Sequence, residues 1–181
     1  MSPLQLHLRS RYFDVGLYNN IVLDEENQLL TVYLHNLSGQ LIGYQQYNPN
    51  SEDKSGKDPV NTRYSTYRMA GQNAVWGLER LKPENPELFI VEGIFKASAL
   101  HIMGYNAIAI LSSSPNESLM NWLYSLPYQL IAIGDPDPAG ERLVRKIGHG
   151  ATSPKDLDDM SAFELVCFAF DQVYQNVRKA A

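Results

Sequence analysis

The hydrophobic pattern along the chain changes character near its middle. Residues 28–34 and 41–47 alternate apolar and polar positions and are rich in β-formers, while Asn36-Leu37-Ser38-Gly39-Gln40 between them carries turn chemistry. A β-hairpin is predicted there. Residues 48–56 hold no apolar side chain and are expected to form a mobile loop beyond it. After Pro83 and Pro86, short apolar runs alternate with helical stretches: strands at 88–91, 107–111 and 130–133, helices at 95–103, 117–124 and 140–147. Such alternation implies an α/β unit, a mostly parallel sheet flanked by helices. A last helix is predicted from Phe163, Val166, Cys167, Phe170, Val173, Tyr174 and Val177, whose spacing puts them on one core-facing stripe. The expected division is a smaller β-rich, basic subdomain over 1–86 and the α/β unit over 87–181, with α+β character overall.

With 181 residues, 44% apolar and 19% charged, the chain is large enough to bury a core without staples. One cysteine, Cys167, excludes an internal disulfide and a cysteine-rich zinc module. No apolar run reaches the roughly 20 residues of a membrane span, and no secretory leader pattern opens the chain, so a cytoplasmic location and no membrane partner are expected.

The net charge of −5 argues against nucleic acid only until the chain is divided. Residues 54–82 carry Lys54, Lys57, Arg63, Arg68, Arg80 and Lys82 against Asp58 and Glu79, with Tyr64, Tyr67 and Trp76 interleaved. Such a segment suits a phosphate backbone and stacked bases. It equally suits a solvated loop.

In parallel α/β sheets, ligands collect at the carboxyl ends of strands. Two of the predicted strands end in acids: Glu92-Gly93 after the first, and Asp135-Pro136-Asp137 after the third. Alternate carboxylates stiffened by proline, with a third carboxylate on a neighbouring strand, suit a hard divalent cation such as Mg²⁺ or Mn²⁺. The cluster Asp156-Leu157-Asp158-Asp159 follows, where Asp158 or Asp159 is equally placed to cap the terminal helix. Ser112-Ser113-Ser114 is placed to cap the helix after it or to bind phosphate.

Leu88-Phe89-Ile90-Val91-Glu92-Gly93, the run from Ala99 to Ala109 and Asp135-Pro136-Asp137-Pro138-Ala139-Gly140 together resemble the Toprim fold of primases, topoisomerases and small nucleases. The lead-in narrows this. Gly39-Gln40-Leu41-Ile42-Gly43-Tyr44, Arg63-Tyr64-Ser65-Thr66 and Val75-Trp76-Gly77-Leu78 resemble the segments that precede this unit in bacterial-type and phage primases. The resemblance implies a minimal, phage-encoded primase core that makes short RNA primers on single-stranded DNA from ribonucleoside triphosphates. It implies catalytic Glu92, Asp135 and Asp137, with Asp156 and Asp158 joining them as ligands of Mg²⁺ or Mn²⁺. Arg63, Tyr64, Arg68 and Lys96 are the expected nucleic-acid or nucleotide contacts, and a replicative helicase or another replication protein is the expected partner. Lys96 stands where such primases usually carry an aspartate; it removes one acid and adds a cation for phosphate or for a neighbouring carboxylate. Two alternatives stay open: a metal-dependent nuclease, and a non-catalytic nucleic-acid-binding replication module.

Overall fold

In the computed structural model, residues 1–55, 58 and 61–180 are described, except for the side chains of 176, 177, 179 and 180. Gly56 and Lys57 of the expected loop and basic segment, and the Val177 side chain, lie outside them. The chain divides into two compact units, Met1–Ala74 and Val75–Ala181. The division falls ahead of the prolines because 75–86 is tied to the second unit. Trp76 and Ala109 exchange backbone hydrogen bonds (2.9 and 3.0 Å), and the Asn106 side chain accepts from the Lys82 N–H (2.8 Å) and donates to the Lys82 carbonyl (2.9 Å).

The first unit is an antiparallel meander, β1 (Ile21–Asp24), β2 (Leu29–His35), β3 (Leu41–Tyr47) and β4 (Tyr64–Arg68), preceded by helix α1 (Pro3–Ser10). The expected hairpin is β2–β3. Its turn is organised by the Asn36 side chain, which accepts from the Ser38 and Gln40 N–H groups at 3.0 Å. Leu30, Val32 and Leu34 on one face of β2 join Leu4, Leu8 and Phe13 among the buried residues. The stretch after β3 is pinned in its described part: Arg63 Nε donates to the Ser51 carbonyl (2.6 Å), and Asn48 N–H donates to the Arg63 carbonyl (2.9 Å). Arginine supplies what the absence of apolar residues denied to the loop.

The second unit is a parallel sheet in the order β6-β5-β7-β8, with β5 Glu87–Val91, β6 Ala107–Ala109, β7 Gln129–Gly134 and β8 Gly150–Thr152. Helices α2 (Ile94–Ile102), α3 (Glu117–Ser125) and α4 (Pro138–Ile147) are its crossovers. Strands β5 and β7 are buried along nearly their whole length, which is why they read as unbroken apolar runs. This is the sheet and helix arrangement that the pattern implied, preceded by a β-rich unit. The strand expected to reach residue 111 stops at Ala109, since Leu111 turns to a positive φ of 53°.

Helix α5 (Ala162–Ala180) corrects the expected stripe. Phe163, Val166, Phe170 and Tyr174 are exposed, as is Cys167, and the buried positions are Leu165, Ala169 and Gln172. The helix is apolar nearly all round over 163–170, so spacing alone does not choose its face. Its N-terminus is capped by Ser161 and Glu164, not by Asp158 or Asp159: Glu164 N–H donates to Ser161 Oγ (3.3 Å) and Ser161 N–H to Glu164 Oε2 (2.8 Å). Likewise Asn116, not the serine run, caps α3, its side chain accepting from Leu119 N–H at 2.9 Å.

Candidate acidic active site

The sheet order places the chemistry. From β5 the chain moves to β6 on one side and then crosses to β7 on the other, so the switch in direction lies between β5 and β7. Loops leaving adjacent strands diverge there and open a crevice at the carboxyl ends. Glu92 follows β5, and Asp135 and Asp137 follow β7.

Each carboxylate is held by local backbone chemistry. The Glu92 carbonyl accepts from Leu111 N–H (3.0 Å), which fixes the strand end below its side chain. Asp137 is the N-cap of α4: its Oδ1 accepts from Gly140 N–H (2.8 Å), Pro138 takes the first helical position, and Asp137 N–H donates to the Asp135 carbonyl (2.8 Å). The first turn of α4 presses against the end of β7. A Cβ built on Gly140 would lie 2.7 Å from the Gly134 carbonyl carbon and nearer still to Asp135 N and O, so only glycine permits this approach. The Asp135–Asp137 turn is thus clamped between strand and helix.

Lys96, in the first turn of α2, reaches across to the same place. Its Nζ donates to Asp135 Oδ1 and lies 3.5 Å from Asp156 Oδ1, with the lysine side chain only 12% exposed. Burial works to depress the ammonium's pKa, but the hydrogen bond to Asp135 and the charges of Asp135, Asp156 and Glu92 outweigh it and raise the net value. Glu92 is pushed up, first by burial and then by the neighbouring charges of Asp135 and Asp137, against the pull of Lys96 and Arg142. Its Oε1 is buried without a hydrogen-bond partner.

The structure therefore gathers Glu92, Asp135, Asp137, Asp156 and Lys96. Asp158 is buried in the 3-10 turn Leu157–Asp159. Arg142 on α4, within electrostatic reach of Glu92, was missed by sequence reasoning; its position one turn beyond the Asp137 cap was the available signal. Among the described residues, no three His, Cys, Asp or Glu side chains close around one metal position. The all-oxygen donors and the orphaned Glu92 Oε1 nevertheless fit a hard divalent cation, since Mg²⁺ needs only one or two carboxylates and keeps waters.

The other expected contacts lie in the first unit. Tyr64 on β4 packs its ring 5.1 Å from that of Tyr47, and its hydroxyl accepts from Arg11 (2.9 Å). Arg11 also sits over the Tyr47 ring at 5.2 Å, and His7 Nε2 hydrogen-bonds the Tyr47 hydroxyl (2.8 Å). Arg63 is engaged with Ser51, and Arg68 is exposed at the end of β4. Among the described residues no helix is long and apolar enough to cross a membrane.

No protein-family model and no curated protein sequence matches the chain. Solved structures do. The DnaG primase catalytic domain bound to ssDNA aligns with a TM-score of 0.61 at 16% identity, over 94% of this chain and 58% of that one. The E. coli primase catalytic core aligns at 0.58 and 17% identity, over 94% and 60%. The RNA polymerase domain of Mycobacterium tuberculosis primase DnaG, in complex with double-stranded DNA, aligns at 0.61 and 14% identity, over 97% and 73%. This chain spans about three fifths of the first two. At these identities the likeness is one of architecture: the chain has the fold of bacterial-type primase catalytic cores.

Proposed function

We propose that the chain is a primase core that synthesises short RNA primers on single-stranded DNA by divalent-metal-dependent nucleotidyl transfer. One observation carries the reading: Glu92 and the Asp135–Asp137 turn meet at the switch point of a sheet whose fold is shared with primase cores. In the proposed reaction the 3′ oxygen of the growing strand attacks the α-phosphorus of the incoming ribonucleoside triphosphate, and pyrophosphate leaves. Mg²⁺ or Mn²⁺, when bound, supplies neutralisation of the triphosphate and a lowered pKa for the attacking hydroxyl. Glu92 and Asp137 are the carboxylates assigned to it, because they are the ones that Lys96 does not engage. Glu92, whose carboxyl is raised by burial and by Asp135 and Asp137, is also the group suited to carry a proton during transfer.

Arg68, Arg63 and Tyr64 are assigned to the template strand. Arg68 is exposed at the end of β4 and Tyr64 begins the same strand, so phosphate pairing is given to the arginine and base stacking to the tyrosine. A replicative helicase or similar replication protein is the proposed partner for template delivery.

The test is incorporation of labelled ribonucleotides on single-stranded DNA with Mg²⁺ or Mn²⁺, beside Glu92→Gln and a labelled strand that reports cleavage. Product from the wild type and none from Glu92→Gln supports the reading. Shortening of the labelled strand without synthesis replaces it with a nuclease, and DNA binding with neither reaction replaces it with an accessory module.

A further inference from the structure

The acidic centre already contains a cation. Lys96 occupies the first turn of α2, where the helix dipole disfavours positive charge and offers no compensation. It is nevertheless almost fully covered, and it is turned toward Asp135 and Asp156 rather than toward water. A long, strongly hydrated side chain is held this way only where the carboxylates it meets replace its hydration. The charge is thus distributed unevenly over the cluster. Asp135 and Asp156 share the ammonium. Glu92 keeps a buried oxygen with no partner, and one Asp137 oxygen is committed to the Gly140 N–H while the other is not. Among the described residues, Arg142, exposed on α4, is a second positive group within electrostatic reach of Glu92.

We propose that the Lys96 ammonium is a resident cation of this centre, standing at Asp135 and Asp156 where a second divalent ion would otherwise sit, so that the centre takes one divalent ion, on the Glu92 and Asp137 side. The inference rests on reading the cluster as a metal-dependent site, and it specifies the stoichiometry of that site. A fixed monovalent charge at one position makes that position independent of metal concentration. It also lowers the affinity of the neighbouring position by direct repulsion.

The experiment counts Mn²⁺ bound to the full chain, by the electron paramagnetic resonance signal of free Mn²⁺ and by calorimetry, with neither DNA nor nucleotide present. The wild type is expected to bind one ion tightly, and Glu92→Gln to lose it. Lys96→Asp exchanges the cation for a ligand and is expected to bind two. Lys96→Gln removes the charge without adding a ligand, and is expected to keep one ion with affinity increased about tenfold or more. Two tight ions or none on the wild type, one ion on a folded Lys96→Asp, or unchanged affinity in Lys96→Gln would each overturn the proposal. If Lys96→Asp does not fold, the wild-type count and the Lys96→Gln affinity still decide it. The count is independent of polymerisation. One ion with a silent primer assay overturns the function alone, and primer synthesis on a wild type carrying two ions overturns this inference alone.

Discussion

Gly140→Ala sets two physical terms of opposite sign against each other. Within a helix, alanine is favoured over glycine by up to about 1 kcal/mol, so propensity alone says that the substitution, in the first turn of α4, stabilises. Geometry says otherwise. The added methyl would lie 2.7 Å from the Gly134 carbonyl carbon and closer to Asp135 N and O, all of them backbone atoms that no rotamer change removes. Relief requires the start of α4 to lift from the end of β7, and inserting a methylene into a packed contact costs about 1–3 kcal/mol. With backbone on both sides the cost belongs at the upper end, leaving a net loss of about 2 kcal/mol. For a chain of this length that lowers Tm by about 6 °C. The lift also carries the Asp135–Asp137 turn with it, so activity should fall further than the lost stability explains at a temperature where the variant is folded. Gly93→Ala is the control: its φ is −120°, nothing lies within 4 Å of the new Cβ, and its cost should stay below about 1 kcal/mol. Thermal melts and primer assays on both variants read the outcome. A Gly140→Ala protein that melts at or above the wild-type temperature would refute the close-approach argument.

Asp137 has two duties that substitution separates. Asparagine is as good an N-cap as aspartate, so Asp137→Asn should melt within about 0.5 kcal/mol of wild type yet lose turnover, whereas Asp137→Ala should lose turnover and about 1 kcal/mol as well. Retained activity in Asp137→Asn would remove this residue from the chemistry. For Glu92 the folded pKa lies above its usual 4.5, so the folded state holds its proton more tightly than the unfolded chain does; this contribution to stability is full below pH 4.5 and is lost as pH rises through the raised value. In metal-free buffer, Glu92→Gln should therefore gain Tm over wild type as pH goes from 4 to 7, and a constant difference between the two would contradict the assignment. Arg68→Ala should weaken single-stranded DNA binding about equally for all sequences and reduce the slope of log affinity against log salt by about 0.7; an unchanged slope takes Arg68 out of the interface.

The elements that could be read from the sequence are those whose burial leaves a one-dimensional trace. Strands β5 and β7 are covered along nearly their whole length and show as continuous apolar runs, and the acids sit where those runs stop. β4 left no such trace. Its positions are half-buried or exposed throughout, so Tyr64–Arg68 reads as a basic stretch rather than a strand. Helix α1 buries Leu4 and Leu8, too few for a period, although Ser2, Pro3 and Gln5 spell an N-terminal capping box that was there to be read. Helix α5 failed for the opposite reason: too many apolar positions leave its face undetermined. At the site, the carboxylates announce themselves by position, but the ion pair that organises them joins Lys96 to Asp135 across 39 residues, and no local spacing encodes it.

The corner that holds these groups is also where the chain departs from its own local preferences. Lys96 places a positive charge at the wrong end of a helix, Glu92 buries an oxygen without a partner, and Leu111 takes a left-handed φ of 53°. A left-handed leucine costs about 1–2 kcal/mol, and nothing in its own side chain repays that. Its backbone does something else: the Leu111 N–H reaches the Glu92 carbonyl and locks the end of β5 under the acid. The three departures are therefore linked: Leu111 fixes Glu92, Glu92 lies in the field of Lys96 and Asp135, and Lys96 holds Asp135 beside the Asp137 cap. Sequences selected only for stability have no reason to concentrate such conflicts in one place, and proteins retain them where a site must be poised before its substrate arrives. The strands that carry these groups, β5 and β7, are apolar and buried at the centre of the sheet, and that burial is the stabilisation against which the local cost is set.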